Sequence, residues 1–185
     1  MNAHSRNVAA DVQADEDSSV LVAMPLFHVG GMSYALCGVH AGARMVLSRM
    51  PDPAALLATL ERERITHAFF VPVLIAMMVA LPDARSQDYA TLRALSYGAS
   101  PMPLPVLRAA MDIFPNVFVQ VYGMTEACGV VTTLGPAEHA DRANEHRLIS
   151  AGKPIPGVLI EVRDPASGSR CRSARQGRYA CSANS

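Results

Sequence analysis

Between residues 19 and 121 the sequence alternates short, mostly apolar runs with helical patterns, and this alternation limits the possible folds more than any other feature. The runs cover residues 19–23, 43–47, 66–71, 92–97 and 117–121. They lack the strict polar–apolar alternation of a strand with one solvated face, so each reads as a strand buried on both faces. A sixth run, 158–162, alternates more. Helical patterns lie between them. Residues 30–40 form a small-residue helix, and Asp52-Pro53 is a helix start, because Asp caps and Pro suits the first turn. Leu56, Leu57 and Leu60 then share one face. Pro72 opens a buried helix carrying Leu74, Ile75, Met78 and Leu81, and residues 103–105 open another with Val106, Leu107, Ala110, Met111 and Phe114 inward. Strand–helix–strand alternation of this kind predicts an α/β fold, a mostly parallel sheet covered by helices.

Composition agrees. The 185 residues are 50% hydrophobic and 17% charged, against ~25% charged in ordinary soluble domains. That suffices for one core, or for a piece of a larger one, and argues against disorder over most of the chain. A net charge of zero lacks the basic stripe of a nucleic-acid binder. Aromatics make up only 5%, with no Trp, too few for a base-stacking platform. Cys37, Cys128, Cys171 and Cys181 form no C-x-x-C pair, so neither a disulfide framework nor a structural zinc site is expected. The first residues are polar and acidic rather than a signal peptide. The longest apolar run, 68–82, contains Pro72 and falls short of the ~20 residues that span a bilayer. A cytoplasmic location is expected.

In parallel sheets ligands bind beyond the carboxyl ends of the strands, so the segments after the strands matter most. Three stand out: 24–31, 98–102 and 122–127. In the last, Gly123 permits a turn and close approach of a ligand to the backbone. Thr125 offers a hydroxyl and Glu126 a carboxylate with no basic residue within ten positions. Magnesium takes one or two carboxylates and leaves its other positions to phosphate and water, so this pair suits a Mg²⁺–phosphate group, and Tyr122 could stack on a base. Spacing alone favours the plainer role, in which Thr125 and Glu126 cap a following helix. His28 precedes Gly30-Gly31, which allow another molecule close. Ser100 in Gly98-x-Ser100 begins like a hydrolase nucleophile elbow, with His139 or His146 as base, but Met102 stands where the second glycine belongs.

Four segments together resemble the adenylate-forming superfamily of acyl-CoA synthetases, luciferases and peptide-synthetase adenylation domains. They are PLFHVGG at 25–31, YGASPM at 97–102, YGMTEA at 122–127 and GKPIPGV at 152–158. The resemblance covers residues 20–164 and implies a part of that superfamily's large N-terminal domain. It implies ATP-dependent activation of a carboxylic acid as an acyl-adenylate, then transfer to coenzyme A. Carried over by position, Tyr122 packs on adenine, Thr125 contacts phosphate and Glu126 helps hold Mg²⁺. Gly98, Ala99 and Ser100, with Gly123, line the nucleotide side. His28, Gly30 and Gly98 lie at the acyl and thiol approach. Adenylation domains of peptide synthetases usually carry Asp where His28 stands, to hold the substrate ammonium. An imidazole supplies no such fixed charge, so a fatty or aryl acid is expected.

The superfamily's Ser/Thr/Gly-rich phosphate loop, its ribose-binding Thr-Gly-Asp and its small C-terminal domain with a catalytic Lys have no counterpart here; Lys153, the sole lysine, lies in GKP. The expected organisation is therefore an internal fragment, inactive alone or even a non-catalytic remnant. Residues 1–17 are a polar lead-in, the remainder of the helix after the missing loop. Residues 18–164 are a partial AMP-binding domain. Residues 165–185 are an Arg-rich tail expected to lack regular structure.

Overall fold

The computed structural model describes residues 2–164, 166–170 and 178–183. In chain order the elements are α1 (Asn2–Asp11), β1 (Ser19–Val22), α2 (Val29–Ala41), β2 (Arg44–Leu47), α3 (Pro53–Arg62), β3 (His67–Phe70) and α4 (Pro72–Val79). There follow β4 (Ala94–Gly98), α5 (Leu104–Met111), β5 (Phe118–Met124), a 3₁₀ turn (Thr125–Ala127), β6 (Gly129–Leu134), α6 (Pro136–Ala140), a 3₁₀ segment (Arg142–Ile149), β7 (Lys153–Pro154), β8 (Val158–Arg163) and β9 (Arg178–Ala183).

Seven strands form one sheet in the order β2-β1-β3-β4-β5-β6-β7. The first five are parallel, and β6 and β7 run antiparallel. The apolar runs are two-faced, as read from the sequence. Leu21, Ala68, Phe70, Leu95 and Phe118 point to one side, where they pack with Leu56, Leu57 and Leu60 of α3, Ile75 and Met78 of α4 and Leu107 of α5. Val20, Val22, Phe69, Val119 and Val121 point to the other, where Val8 and Val12 from the N-terminal segment and Tyr34 and Cys37 of α2 cover them. Period-two alternation in each strand thus feeds two helical layers.

Local chemistry sets the helix starts. The Ala55 N–H donates to Asp52 Oδ2 at 2.8 Å, with Pro53 in the first turn; such a cap contributes about 1 kcal/mol. Three leucines of α3 are at most 1% exposed, each contributing about 1.5–3 kcal/mol of burial. His67 ties the lead-in to the sheet. Its Nε2 lies 3.0 Å from the Val12 carbonyl, so that nitrogen carries the proton, and Nδ1 accepts from Thr66 Oγ1 at 2.7 Å. Residues 1–17 are therefore more than a polar lead-in: α1 lies against α2 and β6, with Val8 and Ala9 buried.

Three expectations need correction. The helix that Thr125 and Glu126 were expected to cap is absent; a single 3₁₀ turn leads into β6. Cys128, in the left-handed conformation at φ 61°, reverses the chain there, and the β-branched run in GVVTTL then pairs with β5. Residues 158–162 do form a strand, but in a separate two-stranded sheet with β9 rather than in the main sheet. Part of the Arg-rich tail supplies that β9: Arg178–Ala183 pairs antiparallel with Val158–Arg163, while residues 171–177 lie outside the described residues. An isolated β8 would leave two rows of backbone donors and acceptors unpaired, and β9 satisfies one of them. Among the described residues no helix is long and apolar enough to cross a membrane.

Candidate functional site

The strand alternation of β5 builds the site. Val121 and Gly123 face one cavity, and Tyr122 and Met124 face another. The first cavity holds about 90 Å³ and lies between α2, β3, β4 and β5, with Gly30, Tyr34, Phe69, Ser96, Ala99 and Gly123 on its walls. The second holds about 450 Å³ and is walled by His4 and Asn7 of α1, Tyr122, Glu126, Cys128, Ile155 and Ile160. Val130 lines both.

Two backbone features keep the cavities adjacent. A β-carbon on Gly123 would collide with the Gly129 carbonyl, and one on Gly98 with the Val121 carbonyl. Both glycines therefore permit a strand approach that alanine would break. Ala99, just beyond β4, sits at φ 66°, where a non-glycine residue is strained by roughly 1 kcal/mol. Such strain persists where the surrounding fold imposes it, and here it shapes the rim.

The sequence-predicted residues divide as follows. Gly30, Ala99 and Gly123 open on the first cavity, while Tyr122 and Glu126 open on the second. Gly98 is buried in β4, and His28, Ser100 and Thr125 are exposed on the same rim. His28 is the N-cap of α2 without a side-chain cap bond, and its ring lies 4.6 Å from that of Phe27. Sequence reasoning missed the walls contributed by other elements: Val8, Tyr34, Phe69 and Ser96 in the first cavity, His4, Asn7 and Ile160 in the second. The polar Ser33-Tyr34 in the middle of the mostly apolar helix α2 was the available signal.

Among the described residues no cluster of three or more acidic, His or Cys groups forms a ready metal centre. Glu126 is exposed at the large cavity, with no hydrogen bond or ion pair among the described contacts. One free carboxylate beside a hydroxyl and an open space fits Mg²⁺ arriving with phosphate, and does not fit an all-protein cage. Among the described residues, neither cavity is lined by a Lys or Arg.

The buried titratable groups serve structure. His139 Nδ1 lies 2.7 Å from the Gly135 carbonyl and must donate to it, so Nε2 accepts from the Tyr97 hydroxyl at 2.9 Å. Burial lowers the His139 pKa and raises that of Tyr97. His139 is thus engaged rather than poised as a base for Ser100. Burial pushes the Cys37 thiol up to about 12, leaving it unreactive. Tyr34, beside Cys37, is held well above the ordinary phenol range, chiefly by burial.

Known proteins share both sequence and fold. The model of the AMP-binding enzyme family matches residues 1–179. A feruloyl-CoA synthase of an Amycolatopsis species is 35% identical over 158 residues, covering 85% of this chain and 30% of that protein. A medium/long-chain-fatty-acid–CoA ligase of Mycobacterium tuberculosis is 34% identical over 144 residues, covering 78% and 24%. The solved structure of o-succinylbenzoate coenzyme A synthetase from Bacillus subtilis, in complex with ATP and magnesium ion, superposes with a TM-score of 0.84 at 26% identity, covering 99% of this chain and 37% of that one. The chain spans about a third or less of the length of these relatives. With a family match over nearly its whole length and a fold that superposes on that relative, the chain belongs to the AMP-binding enzyme family.

Proposed function

We propose that this chain forms the acid- and nucleotide-binding heart of an ATP-dependent acid–thiol ligase, working as part of a longer protein. The observation that carries the reading is the pair of cavities on opposite faces of β5, with Val121 and Gly123 on one, Tyr122 and Met124 on the other and Val130 lining both. The large cavity takes ATP. Tyr122 packs on the adenine, Thr125 and the Gly98-Ala99-Ser100 segment approach the nucleotide from the rim, and Glu126 holds Mg²⁺, which supplies screening of phosphate charge. The small apolar cavity, entered past His28 and Gly30, takes the acid. A carboxylate oxygen attacks the α-phosphorus, forming the acyl–phosphate anhydride and releasing pyrophosphate. The thiolate of coenzyme A then attacks the carbonyl carbon and AMP leaves.

Placing two anionic reactants side by side is worth several kcal/mol when their charge is neutralised in a water-poor site. Among the described residues no Lys or Arg lines either cavity, which supports binding without turnover by the chain alone. The test is acid-dependent exchange of pyrophosphate into ATP, measured for this chain alone and joined to its flanking coding sequence. Exchange in the joined protein alone is expected. No exchange in either, with folding intact, contradicts the ligase reading and favours a remnant that binds without catalysis.

A further inference from the structure

Resting on the acid-activating reading above, we infer that the small cavity selects an aryl acid with a single ring over a long-chain fatty acid, and that Tyr34 and Phe69 set this limit. Burial defines a mouth and a floor. Ala99 and Gly123 are exposed and Gly30 is half-buried, whereas Tyr34, Phe69 and Ser96 are 8%, 6% and 0% exposed. The acid must therefore enter tail-first, leaving its carboxylate at the rim beside the nucleotide cavity.

The floor is closed by two rings. The Tyr34 and Phe69 centroids lie 5.7 Å apart at 38°, and Phe69 also abuts the start of α2, where a β-carbon on Gly30 would come within 3.3 Å of its ring. At that point helix and sheet lie in close contact. The volume is about 90 Å³; an apolar cavity of ~150 Å³ encloses benzene whole, so here a ring fits only partly inside, its outer edge at the open rim. A chain of eight or more carbons would have most of its length outside. Aromatic faces on the floor favour a ring through edge-to-face or offset contact. Much of the remaining wall is Val8, Val29, Val121 and Val130, so the surface offered to the acid is mostly apolar.

The test titrates the 185-residue chain with benzoate, octanoate and AMP, each followed by amide and methyl NMR shifts of Gly30, Val121 and Val130. Benzoate is expected to bind at least about ten-fold tighter than octanoate. Tyr34→Ala removes half the floor and should shrink that ratio about ten-fold. Phe69→Leu should act in the same direction, more weakly, and keeps the test open if Tyr34→Ala does not fold. Octanoate binding as tightly as benzoate to the unaltered chain overturns the inference, and so does a ratio unmoved by the folded variants. Binding of AMP with neither acid bound overturns it too, and leaves the nucleotide reading standing. Binding of none of the three overturns both.

Discussion

The two ends of β5 divide the molecule into a region that holds the fold and a region that is free to do chemistry. At the start of the strand Phe118 and Val119 are 0% and 4% exposed, wedged between the two helical layers. Five residues on, Gly123, Met124, Thr125 and Glu126 are exposed. Strands β1, β3 and β4 are buried at every position. Side chains at the sheet centre are packed on both faces, while those of Thr125 and Glu126 make no hydrogen bond or ion pair among the described contacts. Substitutions should separate accordingly: centre changes cost stability, and rim changes cost ligand binding.

The largest effect is expected at the centre. Phe70→Ala empties a fully buried position and should destabilise by about 3–5 kcal/mol, read as a lower urea midpoint at unchanged slope. Tyr97→Phe comes next. It leaves His139 Nε2 buried without its donor and should cost about 1–2 kcal/mol. Acid should weaken the same region. Burial lowers the folded-state pKa of His67 and His139 below the ordinary 6.5. The unfolded chain then binds protons that the fold does not, so stability is full above pH 6.5 and falls as pH drops below it. Thermal melts at pH 7.5 and 5.5 check the sign; an unchanged midpoint would contradict it. At the rim, Glu126→Gln should move stability by less than about 0.5 kcal/mol. Tyr34→Phe and Ser96→Ala each delete one of two neighbouring buried hydroxyls that make no close hydrogen bond. They should leave stability unchanged or slightly raised, and a loss beyond about 1 kcal/mol would show those hydroxyls to be bonded.

The same division governs what the sequence reveals. Centre strands announce themselves because burial on both faces demands consecutive apolar residues, and Pro or Asp punctuates the helices between them. The rim segments were visible through glycine and polar residues after those strands. What stayed hidden depends on contacts remote in sequence. Val8, Tyr34, Phe69 and Ser96 meet at one cavity across nearly ninety residues, and no local pattern records that meeting. Strand β6 hid for a different reason: its entry needs Cys128 at positive φ, which ordinary turn chemistry assigns to Gly or Asn. The alternation in β8 identified a strand but not its sheet, because its partner β9 lies in a segment without apolar periodicity.

The most direct test of the central claim is an NMR titration of this chain with ATP, with and without Mg²⁺, repeated for Glu126→Gln. ATP should shift the amides of Asn7, Tyr122, Glu126 and Val158 around the large cavity. Mg²⁺ should strengthen binding about ten-fold in the unaltered chain and not in the variant. Shifts confined to other surfaces, or equal Mg²⁺ dependence in both proteins, would contradict it.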